Sequence, residues 1–409
     1  MARRLFPPTA TRDARLLVVA RALRGFADGM VSVLLADYLT HLGFSSLRVA
    51  AIVTGTLLGS AALTLLVGMR ADRLGRRGLL LAASALMLAT GLGFAGTTSF
   101  WPLFVVAVVG TLNPSSGDVS VFLPTEQGVL SSAVAGSDRT ALFVWYSVAG
   151  AFAAALGALA SALPVLVARR QGWDPVAAER SAFVVYAAVA LVTAALYRSL
   201  SPAVERHRRL GTSHPLARSR RIVLRLSALF CIDSFGGGFI VQSLLVLWLH
   251  RRFDLAVTTA GAVFFVTGLL SALSQFVSPW LARRIGLVKT MVFTHLPSNL
   301  FLILAGVMPT APLAILFLSL RALLSQMDVP ARQSYVMAVV PPDERAAAAS
   351  VTNVPRSLAA GLSPLVAGLL LDQTSFGWPL ILAGCLKAVY DVLLLVQFHA
   401  VPPLDEHGA

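Results

Sequence analysis

The sequence predicts an all-helical membrane protein, with 12 transmembrane helices in two pseudo-symmetric six-helix bundles. Three observations carry that reading: a composition too apolar for water, apolar stretches of bilayer-spanning length, and short motifs that recur half a chain apart. Of 409 residues, 57 % are hydrophobic and 13 % are charged, whereas a soluble domain carries roughly 25 % charge. That composition excludes a disordered chain and argues against an ordinary soluble enzyme. Cys231 and Cys385 are too few for a disulfide framework or a four-cysteine metal site, and both sit in apolar runs.

A helix crossing a hydrocarbon core of about 30 Å needs about 20 mostly apolar residues. Such stretches run over 15–40, 46–68, 78–97, 101–123, 139–162, 181–200, 222–249, 256–280, 287–307, 312–337, 346–371 and 377–400. In lipid the backbone must satisfy its own hydrogen bonds, so each stretch is read as a helix. The first is broken by Arg21, Arg24 and Asp28 and lacks a small-residue cleavage site, which marks a retained helix rather than a signal peptide. With a cytoplasmic N-terminus, and with residues at span edges assigned to the adjoining loops, 21 of the 33 basic residues fall in cytoplasmic segments, 6 in opposite loops and 6 deep within spans. This bias predicts a multi-pass protein of the plasma (cytoplasmic) membrane with both termini in the cytoplasm. It also accounts for the net charge of +14 without a nucleic-acid partner.

Residues 201–221, rich in Pro, Gly, Ser and Arg, read as a cytoplasmic linker between bundles spanning 1–200 and 222–409. The two halves echo each other. PTEQ at 124–127 lies 206 residues before PARQ at 330–333, and GSDR at 136–139 lies 206 before PDER at 342–345. ADRLG at 71–75 stands 211 before ARRIG at 282–286. Coincident matches at nearly one offset indicate a duplicated six-helix unit, which is a transporter design.

The loop GMRADRLGRR, Gly68 to Arg77, resembles the signature loop of the major facilitator superfamily, and PPDER at 341–345 resembles the acidic–arginine loop after that family's tenth helix. The resemblance covers essentially the whole chain. It implies two bundles rocking about a central cavity lined by helices one, four, seven and ten, with helices three, six, nine and twelve facing lipid. It also implies gating roles for Gly68, Asp72, Arg73, Gly75 and Arg76, with Asp72 supporting a contact to the start of helix eleven.

An ionisable residue in mid-span costs at least ~2.5 kcal/mol by insertion scales and usually faces a polar cavity or a partner. Arg24, Asp28, Asp118, Glu126, Asp233, Arg321, Asp328 and Arg332 all fall on helices that the resemblance places around the cavity. Asp28, Asp118 and Asp328 are the candidates for proton coupling. Asp28 leads, because it lies ~20 Å into its helix. Its proton affinity is set by burial against the charge of Arg24 one turn away. Arg24, Asn113, Tyr146, Asp233, Gln242, Arg321, Asn353 and Arg356 are candidates to line the substrate cavity. Glu126 and Arg332, at repeat-equivalent positions, are candidates for a cytoplasmic latch between the halves. The bland readings are equally specific. Arg24 and Asp28, Asp328 and Arg332, and Lys387 and Asp391 are each four residues apart and can neutralise one another. Lys387 and Asp391, on a helix expected at the periphery, are read as such a structural pair. His295 and Asn299, beside Pro297, are read as satisfying backbone groups freed by the proline. Gly55 and Gly59 are read as a close helix contact.

No phosphate loop, zinc helix or nucleophile elbow is present, so no enzymatic activity, catalytic residue, cofactor or metal ligand is expected. The predicted function is proton-coupled export of a drug or metabolite, the antiporter mode of efflux, by a monomer in the bilayer. Proton-coupled uptake of a nutrient or an anion held by Arg321, Arg332 and Arg356 is the alternative. A transporter-shaped receptor is a third reading, and it would normally carry an added signalling domain.

Overall fold

The computed structural model describes residues 10–114, 121–130, 136–205, 216, 218–341 and 344–399. Most of the predicted linker, and Asp118, lie outside them. Every regular element among the described residues is helical. The first half comprises α1 (Arg12–His41), α2 (Ser46–Leu74), α3 (Arg76–Gly96), α4 (Phe100–Val109), α5 (Leu123–Leu130), α6 (Gly136–Ala160), α7 (Ala162–Gln171) and α8 (Pro175–Arg198). The second comprises α9 (Arg220–Gly238), α10 (Gln242–Phe253), α11 (Val257–Ser274), α12 (Ser278–Ile285), α13 (Leu287–Val307), α14 (Ala311–Leu324), α15 (Asp328–Ala338), α16 (Arg345–Gln373) and α17 (Trp378–Phe398).

Among the described residues nine helical segments are long and apolar enough to cross a membrane, and α9 with α10 makes a tenth span bent by 40°. The 30-residue α1, interrupted by charge, occupies the first predicted stretch; α4 occupies the start of the fourth, and α5 begins at its end. The continuous fourth span expected over 101–123 is corrected here. Helix α4 stops at Gly110, and residues 111–114 leading to Pro114 are not helical, as expected where a proline follows. The bend between α9 and α10 follows Gly236, Gly237 and Gly238, which weaken a helix by exposing backbone and adding chain entropy.

The chain divides into two compact units, residues 1–208 with 256–265, and residues 209–255 with 266–409. The same packing scheme is built twice. In the first unit α1 packs against α6 and α8, and α3 against α8; in the second α9 packs against α16 and α17, and α13 against α17. The α1–α6 seam depends on small residues: a Cβ on Gly29 would lie 2.0 Å from the Ala154 carbonyl oxygen. Gly59 is likewise pressed against the backbone of Val108, a close helix contact.

The sharp turn after α2 is made by Gly75 at φ +70°, and the turn after α12 by Gly286 at φ +87°. These glycines occupy the same position in the repeated ADRLG and ARRIG motifs, because only glycine adopts that backbone freely. Each unit also places a carboxylate at a helix N-terminus, where free N–H groups and the dipole favour negative charge. Glu205 accepts from the backbone N–H of Arg76 (3.0 Å) and Arg77 (2.9 Å) at α3. Glu344 accepts from those of Arg218 (3.0 Å) and Ser219 (3.1 Å) at α9.

Large apolar residues line the outside of α8, α13 and α17 at seven-residue spacing: Val184 and Leu191, Phe293 and Leu300, Val389 and Val396 are all exposed. A lipid-facing stripe on these helices has that period.

Candidate functional site

Each unit buries a charged network, and the two have opposite polarity. In the first unit Glu126, at the start of α5, is fully buried at 0 % exposure. Its Oε2 accepts from the Arg24 guanidinium of α1 and from the Tyr146 hydroxyl of α6. Its Oε1 accepts from the Tyr197 hydroxyl of α8 at 2.7 Å. The guanidinium carbon of Arg24 stands 3.9 Å from the centre of the Phe122 ring, within cation–π range. Four helices thus meet on one carboxylate. Burial without those donors would be costly, since an ionised group in a low-dielectric interior needs both a counter-charge and hydrogen bonds.

In the second unit the acid stands on the first helix and the arginine on the partner. Asp233 of α9 accepts from Arg332 of α15 through Oδ2 (3.0 Å) and from Lys387 of α17 through Oδ1 (2.6 Å). Arg332 also pairs with Asp328 at 3.3 Å. His295 of α13 approaches Asp233 at 3.8 Å through Nε2, and its Nδ1 lies 3.0 Å from Asp391 of α17. Asn299 donates to Asp391 at 2.8 Å. Three carboxylates, one arginine, one lysine and an imidazole therefore form a continuous buried cluster.

Several sequence expectations are revised by these partners. Arg24 is held by Glu126 rather than by Asp28 four residues on. Lys387 and Asp391 do not neutralise each other; they face different partners on α9 and α13, so the charges of the last helix point inward. His295 and Asn299 bind Asp391 rather than only mending the backbone around Pro297. Glu126 and Arg332, expected to meet in one state of the cycle and part in the other, each have partners within their own unit here, which is compatible with the parted state. Tyr197 has no place among the sequence candidates, and Lys387 stands there only as a peripheral structural pair with Asp391. The available signal is that Lys387 is one of two lysines in the chain and the one that falls deep within a predicted span rather than at its edge.

The other predicted residues are dispersed. Asp28 is buried on α1, and among the described residues no hydrogen bond or salt bridge reaches its carboxylate. Asn113 is buried just beyond α4. Gln242 opens α10 at the bend. Arg356 donates to the Ser234 hydroxyl at 2.7 Å, whereas Asn353 is exposed. Arg321 lies in the last turn of α14, and its buried Nε has no hydrogen-bond partner among the described residues. Of the signature-loop residues, Gly75 makes the turn and Arg76 offers its backbone N–H to Glu205. The side chains of Asp72 and Arg73, and the surroundings of Gly68, lie outside the described set.

Two units of like helical packing, with ionisable residues buried inside apolar spans, define a polytopic membrane protein of the secondary-transporter class. The sequence profile of the Major Facilitator Superfamily matches residues 17–325 and 236–408, and the chain belongs to that superfamily, whose members carry small molecules across membranes. It is 26 % identical to the uncharacterized membrane protein YJR124C of Saccharomyces cerevisiae, over 96 % of this chain and 95 % of that one. The fold is similar to that of the nucleoside transporter NupG (TM-score 0.71, 15 % identity, covering 94 % of this chain and 99 % of that one). It is also similar to the xylose transporter XylE from E. coli in an inward-open conformation (TM-score 0.72, 15 % identity, 95 % and 97 %). A third likeness is to the human organic anion transporter MFSD10 (TM-score 0.63, 19 % identity, 95 % and 100 %).

Proposed function

We propose that this protein exports a small organic molecule by alternating access, in exchange for protons, with Asp28 as the coupling carboxylate. The observation that carries the reading is the contrast on α1: Arg24 is satisfied by a closed network, while Asp28, one turn away and also buried, makes no hydrogen bond or salt bridge among the described residues. An unpaired carboxylate in an apolar interior is costly and is held in place by what it binds during function. A proton taken up in one state and released in another biases each state by its differential affinity. The signature-loop residues, including Asp72 and Arg73, are proposed to gate the cycle. Asp118 and Asp328 are the alternative coupling acids, although Asp328 is already paired with Arg332.

The test is transport in proteoliposomes. Asp28→Asn is expected to abolish uphill movement driven by a pH gradient while leaving substrate exchange at equal pH largely intact. Uphill transport at the wild-type rate would remove Asp28 from the mechanism. A second reading, uptake of an organic anion, is favoured by Arg321, whose buried Nε has no partner among the described residues. An outward pH gradient effect on accumulation in whole cells separates the two directions.

A further inference from the structure

A cluster outside both networks joins α1 to α8. Asp37 and His41 sit one turn apart on α1, next to its C-terminus, and face Glu179 in the second turn of α8. His41 Nδ1 lies 2.9 Å from Glu179 Oε1 and 3.9 Å from Asp37 Oδ2. One ligand atom from each of the three residues lies within 4.8 Å of the others. The cations and donors around this cluster are occupied elsewhere. The Arg180 guanidinium donates to the Ala95 carbonyl, and the Tyr38 hydroxyl donates to the carbonyls of Phe94 (2.9 Å) and Thr97 (3.1 Å).

Glu179 is the telling member. It is 1 % exposed, and its second carboxylate oxygen, Oε2, is buried with no hydrogen-bond partner among the described residues. Two carboxylates held close together, one of them buried and half-satisfied, call for a cation. His41 pairs with Glu179; an ion would displace its proton and take the ring nitrogen as a ligand, and at 44 % side-chain exposure His41 leaves the cluster open to solvent. Zinc–nitrogen and zinc–oxygen bonds of about 2.0–2.2 Å in a tetrahedron place neighbouring ligand atoms about 3.3 Å apart. The two His41 distances bracket that spacing. A His and two carboxylates suit a borderline divalent ion better than a hard one that demands oxygen alone.

We propose that Asp37, His41 and Glu179 form a binding site for a divalent transition-metal cation of the Zn2+ class, with water in the remaining position. The ion would tie the end of α1 to the start of α8. These helices also carry Arg24 and Tyr197, the partners of Glu126. The site stands apart from the proposed proton-coupling function.

The experiment uses the full chain in detergent, without a polyhistidine tag and with Cys231→Ser and Cys385→Ser in the background. Zn2+ binding is measured by equilibrium dialysis, and Co2+ substitution is read by its visible absorption. The expected result is one saturable Zn2+ per chain, with affinity at least tenfold weaker in both His41→Ala and Glu179→Gln. His295→Ala, a change at the buried histidine of the second network, is expected to leave binding unchanged. His41 is partly exposed, so its alanine variant is expected to fold even if the Glu179 variant does not. Absence of saturable binding, or binding that survives His41→Ala, overturns the site. So would binding abolished by His295→Ala but retained in His41→Ala, which would place the ion in the other cluster.

Discussion

Replacing Glu126 with Gln is the sharpest probe of the first network. The amide keeps an oxygen to accept from the Tyr146 and Tyr197 hydroxyls, but it strips Arg24 of its counter-charge. Arg24 is 2 % exposed, so its guanidinium cannot recover that loss from water. Breaking a buried ion pair by removing one partner costs about 3–5 kcal/mol, whereas removing both charges together is often neutral. For a unit of about 200 residues each kcal/mol is worth about 2–4 °C. Glu126→Gln is therefore expected to lower the unfolding temperature by on the order of 10 °C. The double variant Arg24→Met with Glu126→Gln is expected to recover most of it. Thermal unfolding of the detergent-solubilised chain, followed by circular dichroism, reads both. A double variant no more stable than the single one, or a single variant within about 1 kcal/mol of wild type, refutes the reasoning that the charge of Arg24 is what Glu126 holds.

Asp28→Asn should leave the unfolding temperature near that of wild type, because no hydrogen bond or salt bridge among the described residues is lost with the charge; a drop comparable to Glu126→Gln in the same assay would reveal a structural role. In the second network Asp233→Asn should destabilise more than Lys387→Met, since Asp233 is shared by two cations while Lys387→Met leaves the Arg332 pair intact; equal unfolding temperatures would contradict that order. Gly29→Leu should disrupt the α1–α6 seam, where even a Cβ would overlap the Ala154 carbonyl, and would be seen as loss of monodisperse protein on size-exclusion chromatography. Glu205→Ala should cost about 1 kcal/mol by uncapping α3; an unchanged unfolding midpoint would show that the cap contributes nothing.

Much of the architecture is legible in the sequence because lipid imposes it locally. A span is recognised from its own residues: the bilayer demands about 20 apolar positions in a row, whatever lies beside them. The duplication is legible for a related reason. Gly75 and Gly286 mark the same turn in both halves, and a positive φ restricts the choice to glycine wherever that turn occurs. The charged positions inside the spans are equally visible, since each is expensive and therefore conspicuous.

The partners are another matter. Spacing of four residues pairs Arg24 with Asp28 and Lys387 with Asp391 on paper, yet Arg24 turns to Glu126 and Lys387 to Asp233, residues 102 and 154 positions away. A helix brings i and i+4 within reach, but its rotation about its own axis, set by packing against neighbours, decides which way those side chains face. For α17 that rotation turns apolar Val389 and Val396 outward and carries Lys387 and Asp391 inward to Asp233 and His295. The same rotation of α1 against α8 joins Asp37 and His41 to Glu179. Hydrophobicity along one helix settles that it crosses the membrane; only the packing of one helix on the next settles which charges meet, because that depends on close contact between residues far apart in the chain.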